Sequence, residues 1–291
     1  MITGTTQILG VIGDPIAHSL SPVMHNAAIA HLGVDYVYLP FAITSANLAT
    51  AIAGFEAIGV RGFSITIPHK QAIIPLLQTI TPQAQAIGAV NTVWHSDQGW
   101  QGTNTDVAGF VAPLHGLDRP WPQTEALILG NGGAARAVVA GCAQLGFGTI
   151  RVVGRDRAKL QALQQSWLAA TPPVPIHIHL WDELPTLLAT AGLVVNTTPL
   201  GMHPHPEQCP IAPQDWANWN PAAIAYDLIY VPKPTQFLRA AAERGSLAID
   251  GLEMLVQQGA AALEIWLQQP APVEVMRRSL LQQLGLDSSP P

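Results

Sequence analysis

An apolar run that leads directly into a glycine-rich turn constrains the fold of this chain more than any other feature. Residues 127–135 read LILGNGGAA, and the following run, RAVVAGCAQLGF, has the composition of a helix of about three turns. Gly130 permits a tight turn, and Gly132 lets the backbone approach an anion. The small residues Gly133 and Ala134 keep the helix close to the sheet, and its free amides face the anion. This strand, turn and helix are typical of a dinucleotide pyrophosphate site.

A charged loop follows the next predicted strand, TIRVVGRD. A carboxylate there binds the ribose 2′-hydroxyl of NAD, whereas basic residues accommodate the 2′-phosphate of NADP. Arg155 is placed to stack on the adenine or to bind this phosphate, while Asp156 keeps NAD possible. Because three cations face one carboxylate, the sequence favours NADP(H). The loop residues predicted to bind the cofactor are Gly154, Arg155, Asp156, Arg157 and Lys159.

The composition narrows the class of protein. The length of 291 residues is natural for two domains, and a charged fraction of 11%, against a usual ~25%, indicates a large interior. A net charge of −6 argues against a nucleic-acid surface. We find no apolar run of the ~18 residues that a membrane span needs, and the N-terminus lacks the features of a signal peptide. We therefore expect a soluble, cytoplasmic protein that binds neither nucleic acid nor membrane.

Strand and helix patterns alternate in both halves, which predicts an α/β fold with two domains. The first domain, 1–105, is predicted to be an open α/β domain that binds the substrate. The second, 106–253, is predicted to be a Rossmann-type dinucleotide-binding domain. A helical segment at about 254–291 is expected to pack back toward the first domain. The predicted strands of the first domain are ILGVIG, YVYLPFAI, GFSITIP and AVNTVWH, and its helical or partly helical runs are SPVMHNAAIAHLG, SANLATAIAGFEAIG and the IIPLLQTITPQAQAIG region.

A second anion-binding pattern lies near the N-terminus, in GDPIAHSLSPVMHN at 13–26. Ser21 followed by Pro22 predicts a helix start, in which the serine caps the helix and the proline occupies its first turn. Ser19 lies two residues earlier, so both hydroxyls can point toward one ligand if the chain is locally extended. Two hydroxyls beside a helix N-terminus suit a carboxylate, which we assign to the substrate.

These motifs together resemble the shikimate dehydrogenase family. The resemblance extends over nearly the whole chain and implies reversible reduction of 3-dehydroshikimate to shikimate with NADPH, in the biosynthesis of chorismate and the aromatic amino acids. The Gly-Asp-Pro, Ser-Leu-Ser-Pro and His-Asn elements of 13–26 are part of it. The further motifs are SITIPHK at 64–70, GAVNT at 88–92, NTDVAGF at 104–110, GNGGAARAV at 130–138, NTTPLGM at 196–202, YDLIYVPKPTQFL at 226–238 and GLEMLVQQGA at 251–260.

The resemblance also implies residue roles. Lys70 corresponds to the catalytic lysine, and Asp106 to the carboxylate that works beside it. The implied substrate contacts are Thr66, Asn91, Asp106, Tyr230 and Gln258. The residues implied to line the nicotinamide side are Thr197, Leu228 and Gly251. The chain departs from the family at Asn131, where alanine is commoner, and at GRD around Arg155, where Asn-Arg-Thr is frequent; both departures affect cofactor binding more than chemistry.

The role of Lys70 is chemically reasonable without the family name. Hydride transfer to a ketone develops negative charge on its oxygen, and a lysine ammonium can stabilise and then protonate that oxygen. Asp106 would orient both the ammonium and the reacting hydroxyl.

Alternative functions remain open at this stage. A quinate or dual quinate/shikimate dehydrogenase would share the fold and the lysine, and a non-catalytic NADP sensor would bind cofactor without turnover. Histidines suggest a third alternative, because His203, His205 and Cys209 form a short cluster and His177 alternates with His179. No four-ligand spacing is complete, so we expect no metal. We expect small-molecule ligands only, in a monomer or homodimer.

Overall fold

The chain folds into two compact units. The computed structural model describes residues 2–168 and 175–286. The first unit comprises the chain up to Gly109 together with the segment from Leu255 onward, and the second comprises Phe110–Met254. Asp106 thus lies in the first unit, although the sequence boundary assigned it to the second. The reason is local, since its side chain bonds to Lys70 and Asn91.

The first unit is built on a mixed sheet of six strands. In chain order these are β1 (Gln7–Gly13), β2 (Tyr36–Ala42), β3 (Gly62–Ile65), β4 (Thr79–Ile80), β5 (Thr92–Ser96) and β6 (Gly99–Thr103). Their order is β2-β1-β3-β5-β6-β4, and β1 pairs in parallel with both β2 and β3. β5 is antiparallel to β3 and β6. The sequence predicted β1, β2, β3 and β5 but not the short β4 or β6, which extend the sheet beyond a tight turn at Gly99 (φ +92°).

Four helices accompany this part of the chain: α1 (Ser21–Leu32), α2 (Leu48–Ala57), α3 (Pro82–Ile87) and α4 (Asp106–Val111). The run IIPLLQTITPQAQAIG is only partly helical, because it forms a 3-10 turn at Ile74–Leu76, then β4, then α3. Thr81 caps α3 by accepting the amide of Ala84 at 3.3 Å, and Pro82 follows in the first turn.

The second unit contains an all-parallel sheet. Its strands are β7 (Glu125–Leu129), β8 (Thr149–Gly154), β9 (Ile176–Leu180), β10 (Leu193–Asn196), β11 (Ile224–Asp227) and β12 (Leu247–Ile249). Their order is β12-β11-β10-β7-β8-β9. Counted from β7, this is the 3-2-1-4-5-6 order of a Rossmann fold. Its helices are α5 (Gly133–Leu145), α6 (Arg157–Leu168), α7 (Leu184–Leu188) and α8 (Gln236–Ala242).

Central strands of this sheet are buried on both faces. Every residue of β10 and of β11 is buried, as expected for a parallel sheet covered on both sides by helices. Asn196 and Asp227 are the last residues of these two strands, so the few buried polar groups lie at the carboxyl edge of the sheet, where Rossmann folds bind ligands.

Two C-terminal helices complete the described chain, α9 (Leu252–Leu267) and α10 (Val273–Gln283). α10 packs against α1 and buries Met276 and Leu280. The indole of Trp266 on α9 donates to the carbonyl of Val93 at 2.9 Å. Gly62 permits this approach, because a Cβ there would collide with the indole ring. The predicted fold class is confirmed, including the return of the C-terminal helical segment to the first domain.

Candidate active site

An ion pair between Lys70 and Asp106 is the centre of the polar cluster in the first unit. Lys70 lies in the loop after β3, and Asp106 is the first residue of α4. Lys70 Nζ lies 2.5 Å from Asp106 Oδ2, with side-chain exposures of 16% and 6%. A charge-assisted bond this short, largely removed from water, fixes the ammonium in place. The lysine stays partly accessible, as a group that meets a substrate must be.

Asn91 connects this pair to two other elements. Its amide Nδ2 lies 2.9 Å from Asp106 Oδ1 and 3.3 Å from Gln258 Oε1 on α9. Its Oδ1 accepts the backbone amide of Thr105 at 2.7 Å. Asn91 itself is only 2% exposed. The structure therefore brings together four of the residues singled out in the sequence: Lys70, Asn91, Asp106 and Gln258.

Asn104 and Thr105 support this cluster, and the sequence reasoning assigned no role to them. Asn104 Oδ1 accepts the backbone amide of Asp106 at 3.0 Å, and its Nδ2 donates to the carbonyl of Ala89 at 2.9 Å. An asparagine two residues before a helix start is typical of such a side-chain turn. The NTD triplet was thus an available signal that Asp106 is held by its own neighbours.

The loop that carries Thr66 and Lys70 is anchored by its backbone. Thr66 donates its amide to Ile12 O at 3.0 Å, and the carbonyl of Lys70 accepts the amide of Val90 at 2.8 Å. Between them His69 is fully buried, and its Nε2 lies 2.6 Å from the carbonyl oxygen of Ile43. These contacts hold the loop at the carboxyl edge of the first sheet, with Thr66 half-buried.

The structure contradicts the predicted capping role of Ser21. Ser21 is the first residue of α1, the N-cap is Leu20 in helical conformation, and no side chain caps the helix. Instead the amide of Ser21 donates to Ser19 Oγ at 3.3 Å. The chain already turns helically at Leu20, so the Ser21 hydroxyl comes one position too late to cap. The chain at Leu20 is thus helical and not locally extended, which was the condition under which both hydroxyls were expected to point toward one ligand. The assignment of Ser19 and Ser21 to a carboxylate stays a prediction.

In the second unit the glycine-rich turn has the geometry of a phosphate cradle. Gly130 has φ +109°, and a Cβ there would lie 2.6 Å from Thr197 Oγ1. Thr197 donates that hydroxyl to the carbonyl of Leu129 at 2.7 Å. Gly132 precedes α5 and is exposed, with nothing within 4 Å of its Cβ position. Open space beside the first amides of a long helix fits a pyrophosphate.

Asp156, in the charged loop after β8, bonds to backbone amides of the helix that follows it. Asp156 Oδ1 accepts the amides of Ala158 at 3.0 Å and Lys159 at 3.2 Å, so the carboxylate caps α6. Arg155 immediately before it is exposed. One oxygen of the aspartate is therefore bound to its own helix, and the other lies 3.9 Å from Lys159 Nζ. The cations predicted to bind the 2′-phosphate, Arg155, Arg157 and Lys159, are all exposed. A basic, open loop fits NADP.

Asn131 lies against Gly154. Its Nδ2 is buried without a hydrogen-bond partner among the described residues and lies 3.2 Å from the Cβ position of Gly154. Any larger residue at 154 would meet this amide. Gly133 and Ala134 follow in the first turn of α5 and are half-buried.

The remaining predicted residues lie on loops after β10, β11 and β12. Leu228 donates its amide to the carbonyl of Asn196 at 3.1 Å, and Gly251 donates to Ile229 at 3.2 Å. A Cβ at Gly251 would collide with the carbonyl oxygen of Leu228, so this close approach requires glycine. Tyr230 follows this contact and is half-buried.

The histidine cluster gives no metal centre in the described part of the chain. Within residues 2–168 and 175–286, no three His, Cys, Asp or Glu side chains are arranged to hold a metal ion. Cys209 is half-buried, and burial raises the pKa of its thiol to about 11. His205 instead lies 3.6 Å from the carboxylate of Glu207. No helix in those same ranges is long and apolar enough to cross a membrane.

The second unit is of Rossmann type, with a glycine-rich turn and a basic loop, and the first unit holds a largely buried lysine–aspartate pair. Together these features define a class of protein, the NADP-dependent dehydrogenases. Comparison with known proteins defines the family. A profile described as "Shikimate dehydrogenase substrate binding domain" matches residues 11–93, and one described as "Shikimate 5'-dehydrogenase C-terminal domain" matches residues 251–281. The shikimate dehydrogenase (NADP(+)) of Trichormus variabilis is 61% identical over 98% of this chain and 100% of its own length. This chain belongs to the shikimate dehydrogenase family.

Solved structures agree with this assignment. The chain is similar to shikimate 5-dehydrogenase from Thermus thermophilus in complex with NADP(H) and shikimate, with a TM-score of 0.83 and 31% identity over 95% of this chain and 99% of that one. It is also similar to quinate dehydrogenase from Corynebacterium glutamicum in complex with NAD, with a TM-score of 0.85 and 29% identity over 95% and 99%. The predicted family, the two-domain fold and the class of NADP-dependent oxidoreductase are confirmed.

Proposed function

We propose that this chain catalyses the reversible, NADPH-dependent reduction of 3-dehydroshikimate to shikimate. The observation that carries the proposal is the Lys70–Asp106 pair, with Nζ and Oδ2 2.5 Å apart and the two side chains 16% and 6% exposed, in a chain of this family. Without such a pair a Rossmann-type unit would support cofactor binding alone.

Lys70 acts on the reacting oxygen. Reduction develops negative charge on the ketone oxygen, and the ammonium stabilises that charge and then donates its proton. Asp106 orients the ammonium through Oδ2, while Oδ1 is held by Asn91. In the reverse direction Lys70 accepts the proton of the hydroxyl group. When bound, NADPH supplies the hydride.

Substrate recognition is assigned to neutral polar side chains around the pair. Asn91 and Gln258 are 3.3 Å apart, and together with Thr66 they offer amide and hydroxyl groups to the hydroxyls of the substrate. Ser19 and Ser21 are assigned to its carboxylate. In the second unit Tyr230 is assigned a further substrate contact.

The residues of the second unit are assigned to the cofactor. The backbone from Gly130 to Ala134 binds the pyrophosphate, and Arg155 binds the 2′-phosphate with support from Arg157 and Lys159. Thr197, Leu228 and Gly251 line the nicotinamide side. We propose that the protein works in the cytoplasm as a monomer or homodimer and binds no nucleic acid.

The experiment is a set of assays at the reduced-nicotinamide absorbance band, with shikimate or quinate and with NADP or NAD. We expect turnover of shikimate with NADP to exceed every other combination. Preferred turnover of quinate would replace the proposal with quinate dehydrogenase, an outcome for which the similarity to the Corynebacterium glutamicum enzyme gives a reason. Binding of NADP without any turnover would indicate a non-catalytic sensor.

A further inference from the structure

A buried carboxylate lies at the carboxyl edge of the second sheet, and no predicted role accounts for it. Asp227, the last residue of β11, is 0% exposed. Its Oδ2 accepts the hydroxyl of Thr235 at 2.7 Å, and its Oδ1 accepts the amide of Ile229 at 3.1 Å and Nδ2 of Asn196 at 3.0 Å. All three donors are neutral, and burial raises the pKa of Asp227 to about 6. Burial of an ionisable group costs free energy. We therefore ask which segments the hydrogen bonds of Asp227 hold in place.

Asn196 extends these bonds to the neighbouring strand. It is the last residue of β10 and is also 0% exposed. Its Oδ1 accepts both the amide of Thr198 at 3.0 Å and the hydroxyl of Thr198 at 2.7 Å. Its Nδ2 also donates to the carbonyl of Leu200 at 3.1 Å. Asn196 therefore shapes the loop after β10 and ties it to Asp227.

Thr235 closes the second loop. It is 0% exposed, and it caps α8 by accepting the amide of Leu238 at 3.3 Å while donating to Asp227. The chain from Leu228 to Pro234 is thus held at both ends by one carboxylate. The two loops fixed in this way carry Thr197 on one side and Leu228 and Tyr230 on the other.

We propose that Asn196, Asp227 and Thr235 are positioning residues, here called the loop clamp, that set the nicotinamide end of the cofactor site. The proposal rests on the proposed function and extends it to residues that touch neither ligand. The adenosine end, with its 2′-phosphate, is assigned to the loop after β8, and the pyrophosphate between the two ends is assigned to the turn after β7. In the described residues the side chains of Asn196, Asp227 and Thr235 bond to neither of these segments. Thr197, in the loop that Asn196 shapes, donates to the carbonyl of Leu129 beside the pyrophosphate turn. We therefore expect the clamp to affect the nicotinamide end most and the adenosine end least.

The test compares two ligands on one pair of variants. Thr235→Val keeps the shape of the side chain but removes both hydroxyl bonds, whereas Thr235→Ser keeps them. Isothermal titration measures the Kd for NADPH, which spans both ends of the site, and for 2′,5′-ADP, which occupies only the adenosine end. We expect Thr235→Val to weaken NADPH binding roughly tenfold and to leave 2′,5′-ADP within about twofold, and Thr235→Ser to bind both like the wild type.

If Thr235→Val weakened the affinity for NADPH and for 2′,5′-ADP by the same factor, the variant would have a general structural defect and the proposal would be overturned. Unchanged NADPH binding would overturn it as well. Asp227→Asn gives a second check, because its amide group can face the Thr235 hydroxyl, which then turns to accept. We expect this variant to retain NADPH binding, because the clamp depends on its hydrogen bonds and not on the charge of Asp227, and a large loss would contradict that role. Neither titration requires turnover, so the clamp is tested even if shikimate is not the substrate.

Steady-state kinetics distinguish a positioning role from a purely structural one. We expect Thr235→Val to lower kcat for shikimate oxidation and to raise the KM for NADP, while 2′,5′-ADP inhibits it as strongly as it inhibits the wild type. A lowered kcat with weakened inhibition by 2′,5′-ADP would count against the clamp.

Discussion

Asp106 and Asp227 are both buried carboxylates at the carboxyl edge of a sheet, one in each unit, and they differ in their partners. Asp106 is 4% exposed and pairs with the ammonium of Lys70. Asp227 is 0% exposed and accepts only neutral donors. A charge paired with a partly accessible cation is suited to a reaction that moves a proton. A charge enclosed by backbone and hydroxyl donors is suited to holding loops in place.

The same difference extends to the rest of each unit. In the first unit the assigned ligand contacts are side chains, such as Asn91, Thr66 and Gln258. In the second unit the phosphate cradle is backbone, opened by Gly130 and Gly132, with the cations outside it. Substitutions in the first unit should therefore change chemistry or substrate affinity. Those in the second unit should change how the cofactor is held, except at Tyr230, which is assigned to the substrate.

The largest effect is expected from Lys70→Ala. Loss of the positioned acid should lower kcat by a factor on the order of 10² to 10⁴, with a much smaller change in the KM for shikimate. Stopped-flow and steady-state assays measure it. Arg151→Ala is a matched control, because it also removes a cation that is paired with a carboxylate. Arg151 lies 3.0 Å from Glu125, and it is distant in sequence from Lys70 and from every assigned substrate contact. Near-normal turnover in Lys70→Ala would remove this lysine from the mechanism.

The next effect is expected from Arg155→Ala in the second unit. Loss of the Arg155 contact with the 2′-phosphate should weaken NADP use by roughly one to two orders of magnitude. Use of NAD should stay nearly unchanged. Values of kcat/KM for both cofactors test this. An equal loss with both would mean that Arg155 stacks on adenine or supports the loop.

A smaller effect is expected from the double variant Ser19→Ala, Ser21→Ala. The carboxylate of the substrate does not change charge during the reaction, so its binding is uniform and its loss should raise the KM for shikimate, by roughly tenfold, more than it lowers kcat. Since Ser19 Oγ, not Ser21, accepts an amide of α1, the single variant Ser19→Ala should carry most of any stability loss. An unchanged KM in a folded double variant would refute the carboxylate assignment.

The sequence predicted best those features that are formed by residues close together in the chain. The glycine turn and the charged loop are each a single continuous segment, so neighbouring residues determine their shape. The sequence reasoning considered a contact of Asp156 with the ribose and overlooked its role as a helix cap. Lys70 and Asp106 meet only in the folded chain, and the family resemblance rather than spacing indicated their pairing. The loop clamp was missed because Asn196 and Asp227 become neighbours only once the strand order is known. The available signal for the clamp was that a polar residue, Asn196 or Asp227, ends each of two otherwise apolar strands.

The smallest effect is expected from Asp227→Asn on stability, and it tests whether the two carboxylates differ as their partners suggest. Burial raises the pKa of Asp227 from 3.8 to about 6, so the native state holds its proton more tightly than the unfolded chain. The stability that this proton provides is complete below the unfolded pKa and is lost as pH rises through about 6. The asparagine variant lacks this loss, so its Tm relative to that of the wild type should increase as pH rises from 4 to 7.

Asp35→Asn provides a control of opposite sign for this measurement. Hydroxyl bonds from Thr5 and then Thr6 hold the pKa of Asp35 below its usual value, so its contribution is present above the unfolded pKa and is lost as pH falls. Its asparagine variant should therefore lose Tm relative to the wild type as pH rises toward the unfolded value of 3.8, and should show little further change between pH 4 and 7. Thermal melts of the three proteins from below pH 3.8 up to pH 7 compare the signs of the two changes, because Asp35 titrates below 3.8 and Asp227 above it. A slope for Asp227→Asn that matched Asp35→Asn in sign would mean that hydrogen bonding outweighs burial at Asp227, and the contrast with Asp106 would then rest on the cation alone.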